Sequence, residues 1–208
     1  MKPLPQQHDF VYLASQSPRR VQLLDQLGVP HRPLLPGPSE NAEGLEQERS
    51  NELPMDYVHR VTLLKLQAAR RRLAMRRLPP GPILVADTTV ALGRRILGKP
   101  GSPAEAAEML RALSGRSHRV LTAVAVSAGT VHHLATSVSR VRFAELSDRT
   151  IQRYVASGEP RGKAGAYAIQ GRMAAWIDHL DGSYSGVMGL PLRETAELLA
   201  KARVQLDL

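Results

Sequence analysis

The chain has 208 residues, of which 43% are hydrophobic and 23% charged, an ordinary balance for a globular protein with a sizeable core. It has no cysteine, which excludes disulfides and thiolate metal sites, and no stretch typical of a signal peptide or a membrane span, so a cytoplasmic protein is expected. The net charge of +9 favours an anionic partner such as nucleic acid, a membrane surface or a phosphorylated metabolite.

The first predicted elements are a strand over residues 10–14 and a helix with Ser17 as N-cap and Pro18 as first residue. Two arginines, Arg19 and Arg20, lie in the first turn of this helix, where the helix dipole disfavours positive charge. An anion bound at the helix terminus would remove the conflict, whereas the alternative is that both side chains point into solvent. The pattern favours an anion site.

Residues 30–54 are irregular and acidic, which is unusual in a basic protein. Most of their glutamates are expected to be solvated, or one of them serves a metal: Glu40, Glu43, Glu46 and Glu48. A long helix is predicted over residues 56–78, with Lys65 beside its apolar stripe, where a lysine more often snorkels than functions. The arginines at 70–72 and 76–77 are interpreted as a solvated face of this helix, because no aromatic residues interleave with them to stack on nucleic acid.

The next predicted strand begins at residue 83 and carries Asp87, Thr88 and Thr89 inside an apolar run. An unpaired carboxylate in a protein interior costs several kcal/mol or more, so we expect the strand to end in a crevice where Asp87 meets water, a metal or a substrate. The alternative is that Asp87 only caps the following turn.

The rest of the chain alternates helices and strands without repeats or linkers. The predicted elements are a hairpin turn at 93–95, helices at 102–114 and 147–157, strands at 119–127 and 131–143, a glycine-rich segment at 158–171 and a C-terminal helix from 191. The glycine-rich segment carries Lys163 and Gln170, and such a backbone can approach a ligand closely. The sequence therefore predicts one α/β domain over residues 10–208, preceded by a flexible tail at residues 1–9.

The polar residues at element ends point to phosphate chemistry. Arg19, Arg20, Lys99 and Lys163 can hold phosphates, while Asp87 and the acidic segment can hold Mg²⁺, which is the inventory for phosphoryl chemistry on a nucleotide. The sequence has no zinc-ligand spacing, no nucleophile elbow and no dinucleotide fingerprint, which argues against acyl and hydride transfer.

Several of these motifs together resemble the Maf family of nucleoside triphosphate pyrophosphatases. The matching segments lie in order between about residue 11 and residue 200, at positions 13–20, 86–88, 97–100, 113–115, 163–171 and 189–192. The sequence Ala-Tyr-Ala-Ile-Gln-Gly at 166–171 is similar to the branch acting on dTTP and UTP rather than the branch acting on 7-methyl-GTP. After it, residues 172–176 depart from the family pattern, which more often has glycine and a phenylalanine there.

The resemblance implies a Maf/ITPase-like fold, in which a single mixed-sheet α/β domain forms two lobes with a central cleft. It also implies hydrolysis of dTTP, UTP or modified pyrimidine nucleotides to the monophosphate and diphosphate, a Mg²⁺ or Mn²⁺ cofactor, and a homodimer. By position, Asp87 matches the catalytic aspartate and, with Glu40, a metal ligand. The implied substrate-binding residues are Ser15, Arg19, Arg20, Lys65, Thr88, Lys99, Lys163 and Gln170.

The mechanism we expect is metal-assisted attack of water on the α-phosphorus. An aspartate is a weak base at neutral pH, so Asp87 is better suited to hold the metal and position its water. Lys99 and Arg20 would neutralise charge on the leaving diphosphate, and the Gln170 amide suits the N3–H and O4 edge of uracil or thymine. The rival interpretations are a 7-methyl-GTP pyrophosphatase and a basic nucleic-acid-binding or cell-division regulator without turnover.

Overall fold

The computed structural model describes residues 7–38, 40–41 and 43–206. Its strands are β1 (Val11–Leu13), β2 (His31–Pro33), β3 (Ile83–Leu92), β4 (Arg95–Leu97), β5 (Ser117–Ala128), β6 (Val131–Phe143) and β7 (Ile177–Asp181). Its α-helices are α1 (Pro18–Gln26), α2 (Pro54–Met75), α3 (Pro103–Leu113), α4 (Asp148–Ala156), α5 (Tyr184–Met188) and α6 (Leu192–Lys201). Short 3₁₀ helices lie at Glu43–Glu46, Ala164–Ala166 and Arg172–Trp176.

One seven-stranded mixed sheet, in the order β2-β1-β3-β5-β6-β7, forms the centre of the molecule, and β4 also pairs with β3. β1 runs parallel to β3 but pairs only with Ile83 and Leu84, whereas β4 pairs antiparallel from Val90 onwards. β5 covers the other edge of β3 along almost its whole length. Among the described residues, no strand therefore pairs with the first edge of β3 over residues 85–89, and Asp87 lies in the middle of this gap.

The expectation that β3 ends at Asp87 is wrong. The strand continues through Asp87 to Leu92, because the residues after Thr89 are apolar again and pair with both β4 and β5. The crevice opens sideways instead, between the end of β1 and the start of β4. Missing strand neighbours, and not the end of a strand, bring Asp87 to the cleft.

The helices divide one face of the sheet into two lobes. Ala86 and Val90 lie four residues apart on the same face of β3, yet they belong to different core clusters. The cluster at Ala86 includes apolar residues of α1 and α6, whereas the cluster at Val90 includes those of α3 and α4. α2 covers the opposite face, where Leu66 packs in one cluster with Val85. The predicted single mixed-sheet α/β domain is confirmed.

Ser17, Ser102 and Ser147 occupy the predicted N-cap positions of α1, α3 and α4, but the Ser17 side chain makes no capping hydrogen bond. The Ser102 hydroxyl accepts a hydrogen bond from the Glu105 amide at 3.1 Å, and Ser147 caps α4 in the same way. Of the predicted flexible tail at residues 1–9, positions 1–6 lie outside the described residues. His8 forms a β-bridge with Val204, near the other end of the chain.

Candidate active site

The gap beside β3 opens into a cleft of about 490 Å³ between the two lobes. Nine of the predicted site residues line it: Ser15, Arg19, Arg20, Lys65, Asp87, Thr88, Lys99, Lys163 and Gln170. They come from the β1–α1 turn, α1, α2, β3, the segment after β4 and the loop between α4 and β7. A cleft of this volume has the size of an ordinary small-molecule site.

The centre of the cleft is an ammonium group held between two carboxylates. The Nζ of Lys65, on α2, lies 2.6 Å from Asp87 Oδ1 and 2.7 Å from Glu46 Oε1. Asp87 is 6% exposed, and its other oxygen accepts a hydrogen bond from Thr89 at 3.4 Å. Lys65 thus provides the compensating charge that a buried carboxylate needs, and it reaches into the cleft rather than out to solvent.

Glu46 links this pair to a second lysine. Its Oε2 lies 2.5 Å from Lys99 Nζ, in the segment after β4. Burial acts to raise the pKa of Glu46, but Lys65 and Lys99 outweigh it and hold that pKa below its ordinary value. Asp87, Glu46, Lys65 and Lys99 therefore form one array of two carboxylates and two ammonium groups.

Glu40, the predicted metal ligand, is not among the residues lining the cleft. Its carboxylate binds Arg72, with Oε2 2.6 Å from Arg72 Nη2, and accepts the Gly37 amide at 2.9 Å. Arg72 is 5% exposed and also donates to the Leu34 carbonyl, so the interpretation of this arginine as part of a solvated helix face is wrong. The arginine holds the pKa of Glu40 at about 2, and this pair fastens the acidic segment to α2.

The sequence alone does not distinguish Glu46 from the other three glutamates of its segment. No local pattern separates it from its neighbours, because its partners Lys65 and Lys99 lie 19 and 53 residues away. The sequence does not single out Arg161 either, although this residue also lines the cleft. Its place in the glycine-rich segment was the one available signal.

The two arginines at the start of α1 face the cleft. Arg20 is the more constrained, because its guanidinium donates to Gly189 O at 2.7 Å, to Ser15 Oγ at 3.0 Å and to Thr88 Oγ1 at 3.3 Å. Burial lowers the pKa of Arg20, while Asp87 opposes that shift. Arg19 donates to the Met188 carbonyl at 3.2 Å. The α1 terminus is therefore positioned by the turn at residues 188–189 in the same lobe.

The glycine-rich segment forms the far wall of the cleft and is held at its middle by the sheet. The Tyr167 hydroxyl lies 2.7 Å from Nε2 of the buried His118 on β5. Gly165 has a φ of +67° and donates to the Gly98 carbonyl at 3.1 Å. Gln170 is exposed within the cleft, and its amide makes no hydrogen bond with any described residue. Its donor and acceptor are available to a ligand.

Comparison with known proteins assigns the family. A model of the Maf-like protein family matches residues 10–202. The chain is a member of the Maf family. A Polaromonas sp. (strain JS666) member named dTTP/UTP pyrophosphatase is 61% identical over 198 residues, covering 95% of this chain and 98% of that protein. A Ralstonia nicotianae member with the same name is 60% identical over 208 residues, covering 99% and 100%.

Among solved structures, the Staphylococcus aureus Ham1 protein aligns with this Maf protein at a TM-score of 0.43 and 14% identity, over 92% of this chain and 89% of that one. Two absences hold for the part of the chain that the structure describes. No helix there has both the length and the apolar character needed to cross a membrane. No group of three or more histidine, aspartate or glutamate side chains is gathered there for a metal.

Proposed function

We propose that the protein hydrolyses dTTP and UTP to the nucleoside monophosphate and diphosphate. The observation that supports this most directly is the Lys65 ammonium between Asp87 and Glu46, which lies at a gap in the sheet and inside a cleft of about 490 Å³. Carboxylates for a cation and lysines for phosphates meet there at one point. The substrates follow from the names of the Polaromonas and Ralstonia relatives, which resemble this chain along almost its whole length.

The residues at this point suit a divalent metal. Asp87 and Glu46 direct carboxylate oxygens at the same cation, which is now the Lys65 ammonium. Mg²⁺ is commonly bound by one or two carboxylates, with substrate phosphates and water completing its shell, so a larger protein cluster is not required. Mg²⁺ or Mn²⁺ held by these two residues would polarise the α-phosphate and lower the pKa of a bound water.

Lys65 and Lys99 can bind phosphate only if the array of four charges rearranges. Its two carboxylates and two ammonium groups balance one another, so the excess positive charge of the cleft comes from side chains outside the array, such as Arg20 and Lys163. If the two carboxylates held a divalent ion instead, Lys65 and Lys99 would be free to bind phosphate oxygens. We therefore expect the metal and the triphosphate to bind cooperatively.

In the reaction, water attacks the α-phosphorus while the bond between that phosphorus and the bridging oxygen of the diphosphate breaks. Asp87, the more buried of the two carboxylates, would orient the water through the metal that it helps to hold. Because such a metal lowers the pKa of the water, even a weak base such as this carboxylate can accept its proton. Lys65, Lys99 and Arg20 stabilise the negative charge that builds on the leaving diphosphate. These cationic side chains all line the cleft, so the protein supplies the positive charge that phosphoryl transfer requires.

The part of the cleft at Gln170 would hold the base. Gln170 offers one donor and one acceptor, which complement the O4 and N3–H of uracil or thymine. Arg19 and Thr88, which the family resemblance implies as substrate-binding residues, line the same cleft. Ser15 and Lys163 complete the proposed binding set, with Ser15 supporting Arg20 at 3.0 Å.

The test is diphosphate release from a panel of nucleoside triphosphates with Mg²⁺ or Mn²⁺, with Asp87→Asn and an EDTA-treated sample alongside. We expect turnover of dTTP and UTP that requires the metal and collapses in the variant. Turnover of 7-methyl-GTP alone would retain the mechanism and overturn the assigned substrate. No turnover of any triphosphate by folded protein would refute the proposal and favour the nucleic-acid-binding regulator.

We further propose that the catalytic domain spans residues 10–208 and forms a homodimer. We also propose that the protein acts in the cytoplasm and does not bind nucleic acid. Light scattering of the purified protein tests the dimer, cell fractionation tests the location, and deletion of residues 1–9 with retention of activity tests the boundary. Tight, salt-dependent binding to DNA would contradict the statement on nucleic acid.

A further inference from the structure

One residue touches both ends of the loop that carries Lys163 and Gln170. Glu159 is half-buried just after α4, and its backbone carbonyl accepts a hydrogen bond from the Lys163 ammonium. Its carboxylate accepts the Arg172 amide, at 3.1 Å to Oε1 and 3.4 Å to Oε2. Glu159 thereby closes the segment 163–172 into a loop.

The carboxylate is itself held from the core. Oε1 accepts a hydrogen bond from the Tyr154 hydroxyl at 3.1 Å, and Tyr154 is a 4% exposed residue of α4. Burial and the Glu159 charge raise the pKa of Tyr154, so the hydroxyl remains a donor. The contact therefore connects the chain just after Gln170 to a buried residue of α4.

Gly171 lies directly against this carboxylate. A Cβ at position 171 would lie 1.9 Å from Glu159 Oε1 and 2.8 Å from its carboxyl carbon. The φ of Gly171 is −98°, a conformation that any residue adopts, so the backbone alone does not require glycine here. A side chain at position 171 would therefore displace the Glu159 carboxylate from its present position.

We propose that Glu159 is a positioning residue for base selectivity, because it fixes the backbone from which Gln170 meets the base. This inference rests on the proposed function. A glutamine amide can turn over and present the opposite donor and acceptor pattern, which would suit cytosine as well as uracil. Discrimination therefore depends on how rigidly the neighbouring backbone is held. Glu159 is not among the residues that line the cleft, so we expect it to act through Gln170.

The kinetic test compares UTP with CTP in the wild type, in Glu159→Gln and in Glu108→Gln. Glu108 is exposed and makes no hydrogen bond with any described residue. Glu108→Gln therefore removes one negative charge, as Glu159→Gln does, but removes no contact, and it serves as the control. We expect Glu159→Gln to lower the ratio of kcat/KM for UTP over CTP by about tenfold, as the loss of one charge-assisted hydrogen bond would. The loss should arise mainly from a higher KM for UTP, with kcat within about twofold, while Glu108→Gln leaves the ratio unchanged.

A second pair of variants tests the contact itself. Gly171→Ala should lower the same ratio in the wild-type background, because its Cβ displaces the carboxylate. In a Glu159→Ala background the same substitution should add less than about a twofold effect, because the clashing partner is gone. Equal effects of Gly171→Ala in both backgrounds would overturn the proposed contact.

A measurement without substrate keeps this inference separate from the proposed function. Trp176 is the single tryptophan and ends the 3₁₀ helix that begins at Arg172. Acrylamide quenching of its fluorescence therefore reports on the chain next to the Glu159 contact at Arg172. We expect stronger quenching in Glu159→Gln and Gly171→Ala than in the wild type or Glu108→Gln. If the wild type hydrolyses no triphosphate, the proposed function fails. A difference in quenching between Glu159→Gln and the wild type would still show that Glu159 holds the loop at residues 163–172. Unchanged quenching, or an unchanged UTP/CTP ratio in an active enzyme, refutes the role of Glu159.

Discussion

The two candidate acidic residues of the irregular segment should respond to the same substitution in opposite ways. Glu40→Gln removes a charge that binds the buried Arg72, whereas Glu46→Gln removes a charge from the array around Asp87. Both changes preserve side-chain shape. We expect the first to lower stability and spare activity, and the second to lower activity with a smaller effect on stability.

The size of the Glu40 effect follows from its ionisation. A pKa of about 2, against an ordinary value of 4.5, corresponds to about 3 kcal/mol at ~1.36 kcal/mol per pKa unit. Solvent reaches 25% of the side chain, and screening reduces the expected loss on Glu40→Gln to about 1–2 kcal/mol. Because the folded pKa is depressed, this stabilisation is present above pH 4.5 and is lost as the pH falls towards 2.

Urea denaturation combined with diphosphate release measures both effects. At pH 7, Glu40→Gln should lower the urea midpoint by about 0.5 M, and its difference from the wild type should shrink as the pH falls below 4.5. Its kcat/KM should stay within about twofold of the wild type, while Glu46→Gln loses about 10²-fold. A large loss of activity in Glu40→Gln with unchanged stability would refute this reasoning and restore Glu40 as the metal ligand.

Three further predictions test other parts of the structure. Asp87→Asn should lower kcat about 10³-fold at an unchanged circular dichroism spectrum, and a smaller loss than tenfold would remove Asp87 from the mechanism. Gly165→Ala adds a Cβ 2.8 Å from Val90, whereas Gly129→Ala has a similar positive φ and open space around it. We therefore expect Gly165→Ala to lower the Tm by several degrees more than Gly129→Ala. Equal shifts in Tm would contradict the close contact with Val90. Burial holds the pKa of His118 at about 4 rather than 6.5, so the unfolded chain binds the extra proton between these values and stability rises with pH there. His118→Gln should remove about 2–3 kcal/mol of that rise, measured by urea denaturation at pH 4.5 and 7, and an unchanged slope would show that another group titrates.

Much of the secondary structure is predictable because its signals are local. Ser102 and Ser147 mark helix starts through hydrogen bonds that close within three residues. Alternating apolar residues predict β5 and β6, which pair from end to end. Asp87 could be selected from the sequence because a carboxylate inside an apolar run requires a partner wherever the chain places it.

The identity of that partner could not be predicted in the same way. Lys65 lies beside the apolar stripe of α2, where local reasoning favours an exposed ammonium, and the structure turns it into the gap at Asp87. Glu40 and Glu46 lie six residues apart in an irregular segment, and their sequence surroundings do not tell them apart. Arg72 binds the first and Lys65 the second, and both contacts depend on how that segment crosses α2.

The sequence by itself determined the α/β class, the Maf family and nine of the polar and charged residues that line the cleft. These depend on local hydrogen-bonding chemistry, on hydrophobic periodicity and on motifs that can be read residue by residue. Only the tertiary structure decided that Asp87 lies within a continuous strand, that Glu46 rather than Glu40 faces it, and that Glu159 holds the loop of Gln170. Each of these depends on pairing between distant segments, where strand register and burial select one charged partner among several equivalent ones.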